Sequence, residues 1–201
     1  DESYIFYPLH TPIDSQVLVR GQHVLNQFEL IKLISLHLPF GTHIYVKPHP
    51  SLIGGYKLKD FRELEKYENI KLLDPKIDSV KIIKHSKAVF VMNSTTGLEA
   101  LLLKKPVITY ASSYYRNKGL TYDLESLFDL GEVLRRAITS DTPYNEEELR
   151  TFVAKLHHVS ESGKTSIWGN SKKIMLEQDF QSLTNIDSYA KGLADTIISR
   201  L

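Results

Sequence analysis

Apolar positions along this chain switch repeatedly between two periods. The runs YIFYPL (4–9), HIYVK (43–47), IKLLD (70–74), AVFVMN (88–93) and PVITYA (106–111) are short, β-rich and apolar on consecutive positions. Such runs suit strands covered on both faces. Between them, VLNQFELIKLISLHL (24–38) places apolar residues at 24, 28, 31, 34 and 38, the stripe of one helix face. The polar segment KLKDFRELEKY (57–67) suits a solvated helix, IDSVKIIKHS (77–86) a helix capped by Asp78, and GLEALLLKK (97–105) a helix between the last two strands. Strands alternating with helices predict an α/β, Rossmann-like, doubly wound parallel sheet of about five strands.

Beyond residue 112 the strand signals stop. ASSYYRNKGLTYD is loop-like, whereas LESLFDLGEVLRRAITS, NEEELRTFVAKLHHVS and NIDSYAKGLADTIISRL have helical spacing, the last with Asp187 near its start. No repeat or long linker marks a firm boundary. The expected organisation is a Rossmann-like domain over 1–140 and a helical C-terminal tail over 141–201 that packs on it. The opening DESYIF carries no initiator Met and enters a strand within a few residues, as in a piece of a longer protein.

Composition narrows the function classes. Lys and Arg number 25 against 24 Asp and Glu, a net charge of +1, so no basic surface for nucleic acid is expected and any anion site is local. Cysteine is absent, which removes disulfides, thiolate nucleophiles and zinc–cysteine sites together. No apolar run reaches the roughly 18–20 residues that span a bilayer, and no secretory segment opens the chain. A cytoplasmic setting is the default.

Ligands of open parallel sheets bind at the carboxyl ends of the strands. Four loops there are rich in polar groups: HTPIDSQVLVRG, PHPSLIGG, NSTTG and SSYYRNKGLTYD. In NSTTGLEALLLKKP, a strand end, the hydroxyls of Ser94, Thr95 and Thr96, a glycine and a helix start make a phosphate cradle of amides, hydroxyls and helix dipole. The same letters fit a capping box, with Thr96 as cap and Glu99 reaching back, and the two readings coexist. The segment has neither the Gly-Lys-Ser/Thr of a Walker loop nor Gly-x-Gly-x-x-Gly. In Lys47-Pro48-His49-Pro50, prolines stiffen a turn that carries a cation and an imidazole able to bind a phosphate or donate a proton to it. Arg20, Arg116 and Lys118 are minor candidates for a ligand carboxylate, and Tyr114 and Tyr115 for stacking, against ordinary solvated and packing roles. His157-His158 lacks a second ligand pair, so no metal site is expected. Trp168 reads as a packing anchor of the tail.

Together, FYPLHTPIDSQ, VKPHP, NSTTGLEALLLKKPVITY and the later GLT resemble the bacterial capsule polysaccharide biosynthesis family over about residues 4–121. Its best-understood members are Kdo transferases that use CMP-Kdo in capsule and lipopolysaccharide assembly and are similar to two-lobed GT-B glycosyltransferases. The resemblance implies a GT-B lobe that transfers from a CMP-sugar donor, without a cofactor, to a glycan or glycolipid acceptor. It implies a second lobe as partner, and a place in the cytoplasm or at the inner face of the cytoplasmic membrane. His49-Pro50 matches the family's His-Pro motif at the nucleotide phosphate, Ser94, Thr95 and Thr96 the turn closing on that phosphate, and Glu99 an acid for ribose hydroxyls, with Lys47 as counter-charge. Asp14 matches the carboxylate nucleophile of retaining members, which forms and releases a glycosyl ester. The other reading of Asp14 is a helix N-cap. The chain departs from the pattern in offering one lobe and in carrying Pro48 where relatives often have an acid. The alternatives are a UDP-sugar transferase or 2-epimerase-like protein, and a non-catalytic nucleotide-binding module.

Overall fold

The structure, a computed structural model, describes residues 2–11, 26–50, 55–140 and 142–159. Asp14, Arg20, Trp168, Asp187 and the helix expected at the end of the chain lie outside these residues. The chain divides into two units, Asp1–Asn145 and Glu146–Leu201.

The first unit is a six-stranded sheet in the order β3-β2-β1-β4-β5-β6. Its strands are β1 (Ser3–Pro8), β2 (Thr42–Lys47), β3 (Ile70–Leu72), β4 (Ala88–Val91), β5 (Val107–Thr109) and β6 (Tyr122–Asp123). Every pairing is parallel, with Ile5 opposite Ile44 and Ala88, and Val89 opposite Val107. The central strands are buried on both faces, including all four residues of β4. Side chains such as Ile5, Phe90 and Ile108 are fully removed from water, each contributing about 1.5–3 kcal/mol by apolar burial.

Among the described residues of this unit are five α-helices: α1 (Gln27–His37), α2 (Leu58–Leu64), α3 (Ser79–His85), α4 (Thr95–Leu102) and α5 (Leu130–Thr139). α1 begins at the Asn26 cap, whose carboxamide oxygen accepts from the Phe28 N–H at 3.1 Å. Its buried face carries Phe28, Ile31 and Ile34, as the apolar spacing predicts, and Leu30 beside them. Asp78 caps α3, accepting from the Val80 N–H at 3.0 Å. Gly41, at φ +77°, makes the turn that enters β2, a conformation that L side chains rarely adopt.

The expectation that strands end near residue 112 is corrected by β6. Its two residues align with Ile108 and Thr109 of β5. So short a pairing has no periodicity to announce it. The second unit opens with α6 (Glu146–Val159), whose first turn holds Glu146, Glu147 and Glu148 against the positive end of the helix dipole.

The order of strands fixes where a ligand fits. β1 and β4 lie side by side, yet β1 continues through α1 to β2 on one side and β4 through α4 to β5 on the other. The chain therefore diverges beyond their carboxyl ends and leaves a crevice between them.

Candidate functional site

The β1 and β4 ends are joined by a side chain. The Leu9 N–H is taken by the Lys47 carbonyl at 2.9 Å, toward β2. Just beyond it, the buried ring of His10 meets the opposite strand: the Met92 N–H donates to His10 Nε2 at 3.2 Å. The imidazole thus acts where a strand carbonyl would have continued the ladder, and that role requires Nε2 to be unprotonated.

Other groups fix both partners of that bond. Gln27, the first residue of α1, accepts from the His10 N–H at 2.8 Å and donates to its carbonyl at 2.9 Å. The Tyr56 hydroxyl donates to the same carbonyl at 2.7 Å. On the far side, the Met92 carbonyl accepts from the Ala111 N–H at 3.1 Å and the Thr109 hydroxyl at 2.9 Å. The crevice floor is a set of peptides with both faces occupied.

From this floor rises α4. Ser94 stands at its N-cap position, but its side chain caps nothing, and its Oγ is buried with no hydrogen-bond partner among the described residues. The expected capping box is not formed, because Thr96 is already the second helical residue and the helix starts two residues earlier than that box requires. The end is closed from another loop instead. The Tyr115 hydroxyl donates to the Ser94 carbonyl at 2.7 Å, and the Gly97 N–H donates to the same oxygen at 3.0 Å. A Cβ on residue 97 would stand 2.4 Å from the Tyr115 hydroxyl oxygen, so the glycine admits the tyrosine.

Charge gathers beside this turn. Lys47, the last residue of β2, is buried to 7% exposure. Burial lowers the pKa of its ammonium, while the carboxylates of Asp78, Glu99 and Asp74 act in the opposite direction. Glu99 is raised above the usual carboxylate range by burial and then by Asp78, with Lys47 opposing. His49 is lowered by burial and by the charge of Lys47. Lys47, Glu99 and Asp78 therefore share one field, in which Lys47 faces several acids.

Residues 1–131 match the family model described as capsule polysaccharide biosynthesis protein. The chain belongs to that family. The region matched by the capsule polysaccharide biosynthesis family runs from β1 into the start of α5, and so includes the whole sheet. Among curated relatives, the chain is 24% identical over 124 residues to the capsule polysaccharide modification protein LipA of Neisseria meningitidis, covering 62% of this chain and 18% of that protein. It is 30% identical over 135 residues to the capsule polysaccharide export protein KpsS of Escherichia coli, covering 61% of this chain and 33% of that protein. Among solved structures it resembles the β-Kdo 2,7-transferase of Thermosulfurimonas dismutans KpsC at 25% identity and a TM-score of 0.51, over 78% of this chain and 55% of that one. The chain therefore spans a minor part of these curated relatives and about half of that transferase chain.

Of the residues named from the sequence, Lys47, His49 and Pro50 lie at the end of β2, and Ser94, Thr95, Thr96 and Glu99 on the first turns of α4. Lys47 and Glu99 are brought into one electrostatic cluster. His49 and Ser94 share the carboxyl edge with β1 between their strands. Asp14 lies outside the described residues. Arg116 is not available to a sugar: its guanidinium donates to the Tyr110 carbonyl at 2.7 Å and the Leu124 carbonyl at 2.9 Å, and pairs with Glu125 at 2.9 Å. Tyr115 is fully buried, a packing residue as its paired setting allowed. Sequence reasoning missed Asp78 as a member of the charge cluster, and His10 with Gln27 as the clamp. The signal for His10 was present, a histidine two residues beyond a strand end, inside a segment already singled out.

Proposed function

We propose that this carboxyl edge is the donor-nucleotide site of a glycosyltransferase lobe acting in capsule or lipopolysaccharide synthesis, with CMP-Kdo or a related CMP-sugar as donor. The observation that carries the reading is the buried, unpartnered Ser94 Oγ at the start of α4, on the strand next to the point where the sheet reverses. A helix N-terminus with a free hydroxyl favours a phosphate oxygen there.

The residues then take distinct roles. Ser94, Thr95 and Thr96 bind the phosphate with the first amides of α4. His49 approaches it from the β2 side. It is held toward its neutral form without ligand and gains its proton when the anion arrives, because the negative charge of the phosphodiester opposes the electrostatic effect of Lys47. A protonated His49 is suited to stabilise the phosphate as it leaves the sugar. Lys47 balances Glu99 and Asp78, so its charge is only partly available to the ligand. Glu99 accepts from ribose hydroxyls. Asp14 is the carboxylate that forms and releases the glycosyl ester, giving retention by two inversions.

The β-Kdo 2,7-transferase resembled here is a Kdo enzyme, which supports that sugar class, and this chain covers 55% of its length, which supports a second lobe as partner. The acceptor is a glycan or glycolipid, met by the lobe at the inner membrane face. None of the described helices is long and apolar enough to cross a membrane.

Thermal melting in CMP and in UDP tests the donor class. CMP is expected to raise the midpoint in proportion to log concentration above its Kd, with UDP giving a smaller rise. Equal or greater stabilisation by UDP would replace the CMP-sugar donor with a UDP-sugar. Sugar transfer by the full-length protein that survives Asp14→Ala would leave Asp14 as a cap only.

A further inference from the structure

Two adjacent tyrosines in the loop after β5 have opposite fates. Tyr115 is fully buried, seated on Gly97 and hydrogen-bonded to the Ser94 carbonyl. Tyr114 keeps 41% of its surface exposed. The two rings stand edge to face, with centroids 5.0 Å apart and planes at 77°. Tyr115 thereby transmits the position of the α4 turn to Tyr114.

The loop that carries them is tied down on its other side. Arg116 binds two carbonyls and Glu125, and the Asn117 N–H donates to Asp123 Oδ2 at 2.8 Å. Thr121 donates to the other oxygen of the same carboxylate at 2.5 Å. A loop held in this way loses little conformational freedom when something stacks on the ring it carries. Its neighbour in the electrostatic sense is Glu99: the Tyr114 phenol is pushed up to about 12 by burial and then by the Glu99 charge.

A rigid, half-exposed aromatic beside a carboxylate at the phosphate turn matches the parts of a nucleoside. The carboxylate suits the ribose hydroxyls, and the ring suits a flat base. A phosphate or a bare sugar phosphate would need no such ring.

We propose that Tyr114 is the nucleobase platform of the donor site, its open face stacking on the pyrimidine while Glu99 holds the ribose. This rests on the nucleotide-site reading above. The assignment predicts that the base and the phosphate are read by two elements, the 111–121 loop and α4, joined through Tyr115.

Equilibrium binding of CMP and of ribose 5-phosphate to the full chain tests this with Tyr114→Ala and Tyr114→Phe. The alanine variant is expected to bind CMP roughly tenfold to a hundredfold more weakly, the range set by loss of one base–aromatic stack, and ribose 5-phosphate within about twofold of the parent. The phenylalanine variant keeps the stacking face and is expected to bind CMP like the parent. Unchanged CMP binding by Tyr114→Ala overturns the proposal, as does equal weakening of both ligands, which would place the ring against the sugar. If the parent chain binds CMP, either result removes the platform alone; a parent that binds neither ligand removes the nucleotide site and the platform with it.

Discussion

His10 and Met92 close the sheet at its central seam, the imidazole Nε2 accepting the Met92 N–H at 3.2 Å where β1 and β4 have stopped pairing. Removing the ring strands a buried donor, which costs about 1–3 kcal/mol. His10→Ala is expected to lose that amount in urea unfolding. His10→Gln, whose carboxamide oxygen can accept from the same N–H, is expected to recover most of it. Equal losses in the two variants would show that ring packing, and not the bond, matters.

Gly97 and Tyr115 form a lock in which one residue needs the absence of a side chain on the other. Gly97→Ala is expected to destabilise by about 1–3 kcal/mol through overpacking, since Tyr115 is itself fully buried and has little room to retreat. Tyr115→Phe in the same chain is not expected to relieve it, because Tyr115 Cζ would stand 2.6 Å from the added methyl. Thermal denaturation of the single and double variants checks this.

The Lys47, Glu99 and Asp78 cluster makes stability depend on pH with a definite sign. Glu99 has a folded pKa raised above 4.5, so the folded state holds its proton more tightly than the unfolded one. The stabilisation is full below the unfolded value and is lost as pH rises through the folded one. Relative to the parent, Glu99→Gln is therefore expected to gain stability as pH rises through that window. Lys47→Met removes the cation that opposes the rise in the Glu99 pKa, so Glu99 is expected to hold its proton to higher pH and the fall in stability to move to higher pH with it. Denaturant titrations at several pH values measure both.

His49 gives a second pH signature, seen in binding. Its folded pKa is lowered by burial and by Lys47, and a bound phosphate raises it again. CMP binding at this site is therefore expected to take up a proton, and affinity to rise as pH falls toward the lowered value of the free imidazole, below about 6.5. Calorimetric titration of His49→Ala is expected to show weaker binding and a flatter dependence over the same interval.

The sequence exposed the architecture where burial is continuous and hid it where contacts are distant. YIFYPL and AVFVMN read as doubly buried strands because both faces of β1 and β4 are covered, and Asp78 read as a cap because its partner is two residues away. Tyr122 and Asp123 were illegible as a strand, since two residues carry no period. Thr96 was misassigned because the letters around it satisfy a capping box, while the actual helix end is closed by Tyr115 from 21 residues further along the chain. Asp78 beside Glu99, and His10 against Met92, depend on strand order, which no local pattern encodes.

The donor site proposed above seats a nucleotide phosphate between the β2 turn and the start of α4. A crystal structure of the chain with CMP tests it most directly. Phosphate oxygens are expected within hydrogen-bond distance of Ser94 Oγ and the first amides of α4, with the His49 ring on the other side. A phosphate bound elsewhere, with Ser94 Oγ still unapproached, would contradict it.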